Sequence, residues 1–109
     1  MKHLNQSFAV KIPYEKIALF CQRWKVKQFY LFGSVLGDDF TSESDIDVMV
    51  QFFPNAGIGW KIVTMNDELD NIFERRVDLT TKKGIEESDN WLRRRNILSN
   101  ATLIYEQKK

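Results

Sequence analysis

The chain has 109 residues with 43% hydrophobic content, which is typical of a folded protein, and we expect one domain over residues 1–109. Its 16 basic and 15 acidic side chains give a formal net charge of +1, so no global charge attracts nucleic acid or membrane, and we expect neither to be bound. One cysteine excludes an intramolecular disulfide, and no signal-like or 18-residue apolar run is present, which predicts a cytoplasmic protein.

The first predicted element is a helix that follows a polar, loose or extended start over residues 1–11. Pro13 suits the first turn of this helix. Its apolar residues recur at the i, i+3, i+4, i+7 spacing of one buried face, namely Ile17, Phe20, Cys21 and Trp24. Because Cys21 lies on this face, we expect it to be a buried apolar side chain and not a reactive thiol.

Two strands follow, joined by a Gly-Ser turn and an acidic loop. The first strand, residues 27–32, ends in a nearly continuous apolar run over residues 29–32, which is typical of a central strand covered on both faces. In the second strand, residues 45–52, the apolar side chains alternate, so Asp45 and Asp47 share the opposite face about 6 to 7 Å apart. Carboxylates this close repel one another unless a proton or cation lies between them, and their oxygens suit Mg²⁺ or Mn²⁺.

The turn between the strands has the residues of a phosphate site. Gly33 has no Cβ, so backbone there can approach a ligand closely, and Ser34 offers a hydroxyl and an N–H where a short helical turn begins. The acidic residues of the next loop, Asp38, Asp39 and Glu43, are ordinary loop formers, and we expect a solvated turn there.

The second half of the chain predicts two helices and two short strands. After a break at residues 54–59, an amphipathic helix over residues 60–73 precedes a strand at residues 77–81, in which Asp78 points away from its apolar neighbours. Residues 82–84 are expected to close that strand. A last helix, residues 90–99, would have Ser88 or Asp89 as N-cap and bury Trp91, Leu92 and Leu98. Arg93, Arg94 and Arg95 fan over much of its circumference, and we expect them to be solvated, with contact to phosphate or to an acidic partner as the alternative. Residues 103–105 could add an edge strand.

These motifs resemble a known family. Gly33 and Ser34, followed after ten residues by Asp45-Ile46-Asp47, are similar to the signature of the DNA polymerase β-like nucleotidyltransferases. The short chain most resembles the minimal nucleotidyltransferases, which are antitoxins of HEPN-domain toxins. The resemblance covers the chain from Phe29 to Glu106, and Asp78 matches the family's third carboxylate. It implies an α/β (α+β) fold of the polymerase β-like type, a small mixed sheet flanked by helices.

The resemblance also implies a reaction and a division of roles. Asp45, Asp47 and Asp78 would be catalytic and would bind two Mg²⁺ ions, with Mn²⁺ as an alternative, while Gly33 and Ser34 would hold the triphosphate of ATP. The reaction would transfer AMP to a hydroxyl of a HEPN ribonuclease toxin in a hetero-oligomer, with tyrosine as the expected acceptor, and so neutralise the toxin. No second domain is evident, so we expect another protein to bring the acceptor.

One departure from the family keeps two alternatives open. Family members commonly have arginines just after Gly-Ser and a glycine before the acidic loop, whereas Val35 and Leu36 follow here and the glycine is Gly37. A binding-only antitoxin that masks the toxin is therefore the main alternative. In a second alternative, Asp45 and Asp47 belong to an ordinary acidic surface of an unrelated α/β domain.

Overall fold

The computed structural model of the protein describes residues 10–37, 40–41 and 43–108. The four strands form one sheet, and helices pack on both of its faces. In chain order the elements are α1 (Tyr14–Trp24), β1 (Val26–Phe32), a 3₁₀ helix (Gly33–Leu36) that we call the Gly-Ser turn, β2 (Ile46–Phe52), α2 (Lys61–Phe73), β3 (Val77–Thr81), α3 (Lys82–Glu86), α4 (Trp91–Asn100) and β4 (Thr102–Glu106).

The sheet has four strands in the order β3-β2-β1-β4. The central strand β1 pairs antiparallel with both β2 and β4, whereas β2 and β3 are parallel and are joined through α2. A parallel pair needs a long crossover of this kind, which the helix provides. The predicted small mixed sheet flanked by helices is therefore confirmed, and so is the edge strand near the end of the chain.

The larger core lies between one face of the sheet and the helices α1 and α2. Helix α1 contributes Ile17, Phe20 and Cys21, and α2 contributes Met65 and Leu69, all fully buried against apolar residues of β1 and β2. Burial raises the pKa of the Cys21 thiol to about 12, so the side chain stays protonated. The sequence prediction that Cys21 is a buried apolar residue is confirmed.

A smaller core covers the opposite face of the sheet. It consists of Phe32 from β1, Met49 from β2, Ile85 from α3 and Ile97 from α4. Both faces of β1 and β2 are thus covered, as the apolar sequence of β1 predicted. Helix α4 consequently packs on the same sheet face as the odd-numbered residues of β2, which include Asp47.

The C-terminal region differs from the sequence prediction in two respects. Residues 82–86 form the short helix α3 and do not simply close β3, because the Thr81 side chain accepts a hydrogen bond from the Gly84 N–H and caps a helical turn. Helix α4 is capped by Asn90, whose side chain accepts from the Arg93 N–H, and not by Ser88 or Asp89.

The predicted buried face of α4 was also wrong. Trp91 and Leu92 are 59% and 53% exposed, and the buried residue is Ile97, with Leu98 partly buried. Packing of Ile97 in the smaller core fixes the rotation of the helix, and residues five and six positions earlier then point about 120° to 140° away from the sheet at 100° per residue.

Some sequence predictions lie outside the described residues. These are most of the loose start, residues 1–9, and the loop residues Asp38 and Asp39. In the part of the chain that is described, no helix has both the length and the apolar character needed to cross a membrane.

Candidate active site

Three neighbouring strands bring their ends together in one row. Asp47 of β2 is opposite Phe32 of β1 on one side and opposite Asp78 of β3 on the other. Residues directly opposite one another in a sheet point to the same face, with their Cβ atoms about 5 Å apart. The two carboxylates that the sequence predicted for a metal site, Asp47 and Asp78, are therefore neighbours, and Phe32 leads directly into the Gly-Ser turn.

Gly33 is in direct proximity to the Asp47 carboxylate. A β-carbon added to Gly33 would overlap Asp47 Oδ2, and Gly33 has φ +81°, a conformation that other residues rarely adopt. Its side-chain hydrogen thus lets the turn approach the carboxylate. The structure brings together the predicted phosphate-binding turn and one of the predicted metal ligands.

Asp45 precedes β2 and lies on the same side as Asp47 by alternation, but it has a protein partner. Arg76 Nε lies 3.3 Å from Asp45 Oδ1 in an ion pair whose side chains are 78% and 43% exposed, respectively. The Ile46 N–H also donates to the Arg76 carbonyl, 3.0 Å away, so the two segments are joined by backbone as well. To bind a cation, the Asp45 carboxylate would have to break its ion pair with Arg76 or contact the arginine and the cation at the same time.

Two polar residues of α2 fix the start of β3 and hence Asp78. Asp70 Oδ1 accepts a hydrogen bond from the Val77 N–H at 2.7 Å, and Asn66 Nδ2 donates to the Val77 carbonyl at 2.9 Å. Both polar groups of one backbone residue are thereby held from the same helix. Asp78, the next residue, is exposed with its backbone position determined by this clamp.

The loop before Asp45 is fixed by Arg75. Its guanidinium donates to the carbonyls of Thr41 and Ser44, at 3.2 and 3.0 Å, and lies over the Phe40 ring, 4.6 Å from the centroid. This is one cation satisfying two backbone acceptors and one aromatic face. Ser44, the residue before Asp45, is therefore held by a residue that follows α2.

The carboxylates concentrate negative charge at the row. The pKa of Asp47 is raised from 3.8 to about 6, first by burial and then by the negative charges of Asp78 and Asp45, while the positive charge of Arg93 lowers it in part. A carboxylate that resists ionisation because of neighbouring carboxylates is stabilised by a bound cation. The electrostatics of Asp47 thus favour a cation at this place.

A cleft of about 530 Å³ opens beside the row. One side is formed by the end of β1 and the Gly-Ser turn, including Phe32, Gly33 and Leu36, and the other by α4, including Asn96 and Asn100. Pockets of 300 to 1,000 Å³ with mixed apolar and polar walls are typical small-molecule sites. The cleft therefore has the size to take a ligand whose charged end lies at the carboxylates.

The donor set partly fits the predicted Mg²⁺ ions. Asp47 and Asp78 supply hard oxygen ligands from adjacent strands, which suits Mg²⁺. Asp45 is engaged by Arg76, and among the described residues no three His, Cys, Asp or Glu side chains are already gathered into a metal-binding group. Mg²⁺ usually keeps several waters and is shared with substrate phosphates, so two carboxylates and a nucleotide could complete its shell.

Sequence reasoning missed several residues that shape this site. Asn66 and Asp70 lie in the amphipathic helix predicted over residues 60–73, and their i, i+4 spacing beside buried Leu69 is a signal that both point the same way. Arg93 is exposed, as predicted, but its positive charge also lowers the pKa of Asp47. Nothing in the sequence indicated that Arg76 pairs with Asp45, because that contact depends on where β2 and β3 meet.

Comparison with known proteins gives a consistent result. The model of the family described as "Nucleotidyltransferase domain" matches residues 15–104. A predicted protein adenylyltransferase of Methanocaldococcus jannaschii is 36% identical over 86 residues, which cover 78% of this chain and 84% of that protein.

Solved structures share the fold at lower identity. The structure of a predicted minimal nucleotidyltransferase superposes with a TM-score of 0.64 and 24% identity, covering 82% of this chain and 86% of that one. A toxin–antitoxin complex solved with AMP-PNP gives a TM-score of 0.62 and 19% identity, covering 89% and 76%, respectively.

Proposed function

Because the chain belongs to the nucleotidyltransferase domain family, and is thus a nucleotidyltransferase by class, we propose that it transfers AMP from ATP to a hydroxyl group of a cognate HEPN-domain ribonuclease toxin and so neutralises it. The acceptor is a tyrosine of the toxin. The observation that carries the proposal is the adjacency of Asp47 and Asp78 in the β2–β3 register, with Gly33 against the Asp47 carboxylate.

The reaction is an in-line displacement at the α-phosphorus of ATP. The acceptor oxygen forms a bond to this phosphorus, the bond from phosphorus to the oxygen bridging the β-phosphate breaks, and pyrophosphate leaves. The hydroxyl proton passes to the Asp78 carboxylate and then to water. The products are the adenylylated hydroxyl, pyrophosphate and one proton, so atoms and charge balance.

The residues of the site divide this work by their positions. Gly33 and the Ser34 N–H and hydroxyl hold the triphosphate at the turn, where backbone can approach it closely. Asp45, Asp47 and Asp78 would hold Mg²⁺, which when bound neutralises phosphate charge and polarises the reacting phosphoryl group. Asp78 is the most exposed position of the row and borders the side from which an acceptor protein can enter.

The partner and nucleotide are supported by similarity. The relative from Methanocaldococcus jannaschii is named for transfer of adenylyl groups to protein, and one structural neighbour is a toxin–antitoxin complex solved with AMP-PNP, an ATP analogue. They agree with an adenine nucleotide as donor and a toxin as acceptor.

Intact mass spectrometry of a co-purified partner tests the proposal. The complex is isolated from the native host and incubated with Mg²⁺ and each nucleoside triphosphate in turn, using the wild type and Asp47→Asn. We expect the partner to gain whole AMP units with ATP and the wild type only. A partner that gains UMP or GMP would correct the nucleotide, and a partner that binds without ever gaining mass would refute transfer.

A masking antitoxin is the second candidate, and one observation favours it. Val35 is buried and Leu36 is apolar at the positions where the family resemblance leads us to expect arginines. In that case Asp47→Asn would still suppress the ribonuclease activity of the partner as fully as the wild type does. Loss of suppression together with loss of transfer would exclude masking.

A further inference from the structure

One face of α4 forms a wall of the cleft beside the carboxylates. Asn96, Ile97 and Asn100 line it from the helix, opposite the Gly-Ser turn and Phe32. Ile97 is 8% exposed and packs with Phe32 and Met49 in the smaller core, which fixes the rotation of the helix against the sheet. The residues at i−4 and i+3 from this anchor lie on the same face of the helix as Ile97.

The residue at i−4 is Arg93. It lies four residues, about 6 Å along the axis, before Ile97 and on the same face. Ile97 packs on Phe32, and Phe32 is directly opposite Asp47 in the β1–β2 register.

The side chains on this face of α4 have the chemistry to contact the phosphates, the ribose and the base of a nucleotide. Arginine presents a planar set of donors that matches phosphate oxygens, and the asparagine amide both donates and accepts, as the edge of a base or a ribose hydroxyl requires. The apolar side chains of Phe32, Leu36 and Ile97 would cover the flat face of a base.

We infer that α4 is a nucleotide-binding helix of this protein, in which Arg93 binds the phosphates at the carboxylate row and Asn96 and Asn100 contact the ribose or base in the cleft. Arg93 thereby supplies from α4 a positive charge that Val35 and Leu36 do not supply after Gly-Ser. This assignment rests on the proposed nucleotidyltransferase function and specifies where its nucleotide lies.

The neighbouring arginines provide a matched control. Arg95 is exposed like Arg93, and neither has an ion-pair partner within residues 10–37, 40–41 and 43–108, but Arg95 is rotated about 200° around the helix. Arg93→Ala and Arg95→Ala thus remove the same charge from different faces. Arg94 is unsuitable because its guanidinium donates to the Ser88 carbonyl.

Equilibrium titration with Mg²⁺ and α,β-methylene-ATP tests the role of Arg93, because this analogue cannot be cleaved at the reacting bond. Adenosine is titrated separately to report the cleft without phosphates. We expect Arg93→Ala to weaken binding of the analogue about tenfold or more and to leave adenosine unchanged. Arg95→Ala should weaken binding of the analogue by less than about threefold, because solvent and salt screen the charge of an exposed side chain.

The asparagines are tested by the opposite pattern. Asn96→Ala should weaken binding of the analogue and of adenosine by the same factor, about three- to tenfold, because Asn96 is not expected to contact the phosphates. Ser99→Ala, an exposed change on the far side of α4, should alter neither. In NMR spectra of the wild type, the backbone amide resonances of Gly33 and Gly37 and the side-chain amide resonances of Asn96 and Asn100 should shift together as the analogue is added. This measurement does not depend on the folding of any variant.

The outcomes separate this inference from the proposed function. Wild-type affinity for the analogue in Arg93→Ala, or equal losses in Arg93→Ala and Arg95→Ala, would overturn the role of Arg93 while leaving the nucleotidyltransferase intact. Shifts confined to residues away from the cleft would overturn the placement of the base. If the wild type binds no nucleotide at all, both this inference and the proposed function fail.

Discussion

Gly33 and Asp47 are so close that a β-carbon on the glycine would overlap the carboxylate of the aspartate. The contact joins the end of β1 to the strand that carries the acidic motif. It explains in physical terms why a glycine precedes Ser34, since both the space and the positive φ exclude other residues. The geometry of the carboxylate row therefore depends on a residue without a side chain.

Gly33→Ala should destabilise the protein and displace Asp47. We expect the free energy of unfolding in urea to fall by about 2 to 3 kcal/mol, from backbone strain and overlap together, and Mg²⁺ binding to weaken. Gly57→Ala is the matched control, because Gly57 also has positive φ, +63°, but has open space around its Cβ position. It should cost about 1 kcal/mol and leave Mg²⁺ binding unchanged. Equal effects of the two changes would contradict the overlap.

The raised pKa of Asp47 predicts how stability varies with pH without divalent ions. The folded protein holds this proton with a pKa of about 6 and the unfolded chain with 3.8, so between these values the folded state binds more protons. Stability contributed by the protonated group is therefore present at low pH and decreases as pH rises toward 6. Ionised Asp47 is then a net cost to the fold at pH 7.

Asp47→Asn removes that cost. Because Asp47 is only partly buried, solvent screens part of the shift, and we expect a gain of about 1 kcal/mol at pH 7 that disappears below about pH 4. Urea unfolding from pH 4 to 8 in EDTA measures it, with Asp67→Asn on the exposed side of α2 as control. Saturating Mg²⁺ should reverse the order, making the wild type the more stable protein. A lower stability of Asp47→Asn at pH 7 in EDTA would contradict the charge repulsion.

The ion pair between Arg76 and Asp45 predicts a competition with the metal. If Asp45 is a ligand, Arg76→Ala should free it and raise Mg²⁺ affinity severalfold, measured by titration calorimetry with AMP-PNP present. The effect should vanish in an Asp45→Asn background, which separates competition for this carboxylate from a general change in charge. A fall in affinity on Arg76→Ala would show instead that Arg76 holds Asp45 in its binding position.

The family and the local elements of the fold could be predicted from the sequence. The spacing of Gly33-Ser34 and Asp45-x-Asp47 identified a nucleotidyltransferase, and the family match confirms it. Alternation along β2 and β3 correctly assigned Asp47 and Asp78 to side chains pointing away from the larger core. Each of these predictions depends on residues close together in the chain, where periodicity carries information.

Contacts between distant segments could not be predicted in the same way. The strand register that pairs Asp47 with Asp78, the ion pair of Arg76 and the clamp of Val77 by α2 all depend on tertiary packing. Helix α4 shows this limit, because its apolar residues Trp91 and Leu92 suggested a buried face, yet Ile97 is the residue that packs in the smaller core and sets the rotation of the helix. The catalytic and ligand roles of the carboxylates stay predictions.

Asp47 and Asp78 should differ in what their loss does to the reaction. Asp47 contacts the turn that would hold the nucleotide, whereas Asp78 lies at the exposed end of the row, where we propose that the acceptor enters. We expect Asp78→Asn to bind α,β-methylene-ATP within about threefold of the wild type and to lose transfer from ATP by about a hundredfold or more, since its contribution belongs to the transition state. Asp47→Asn should lose both binding and transfer.

The rates are measured by mass spectrometry with the co-purified partner as acceptor, and Asp67→Asn should behave as the wild type does. Transfer at the wild-type rate by Asp78→Asn would assign the third carboxylate to another residue, whereas parallel losses in both variants would mean that Asp78 acts in binding the nucleotide and not in activating the acceptor.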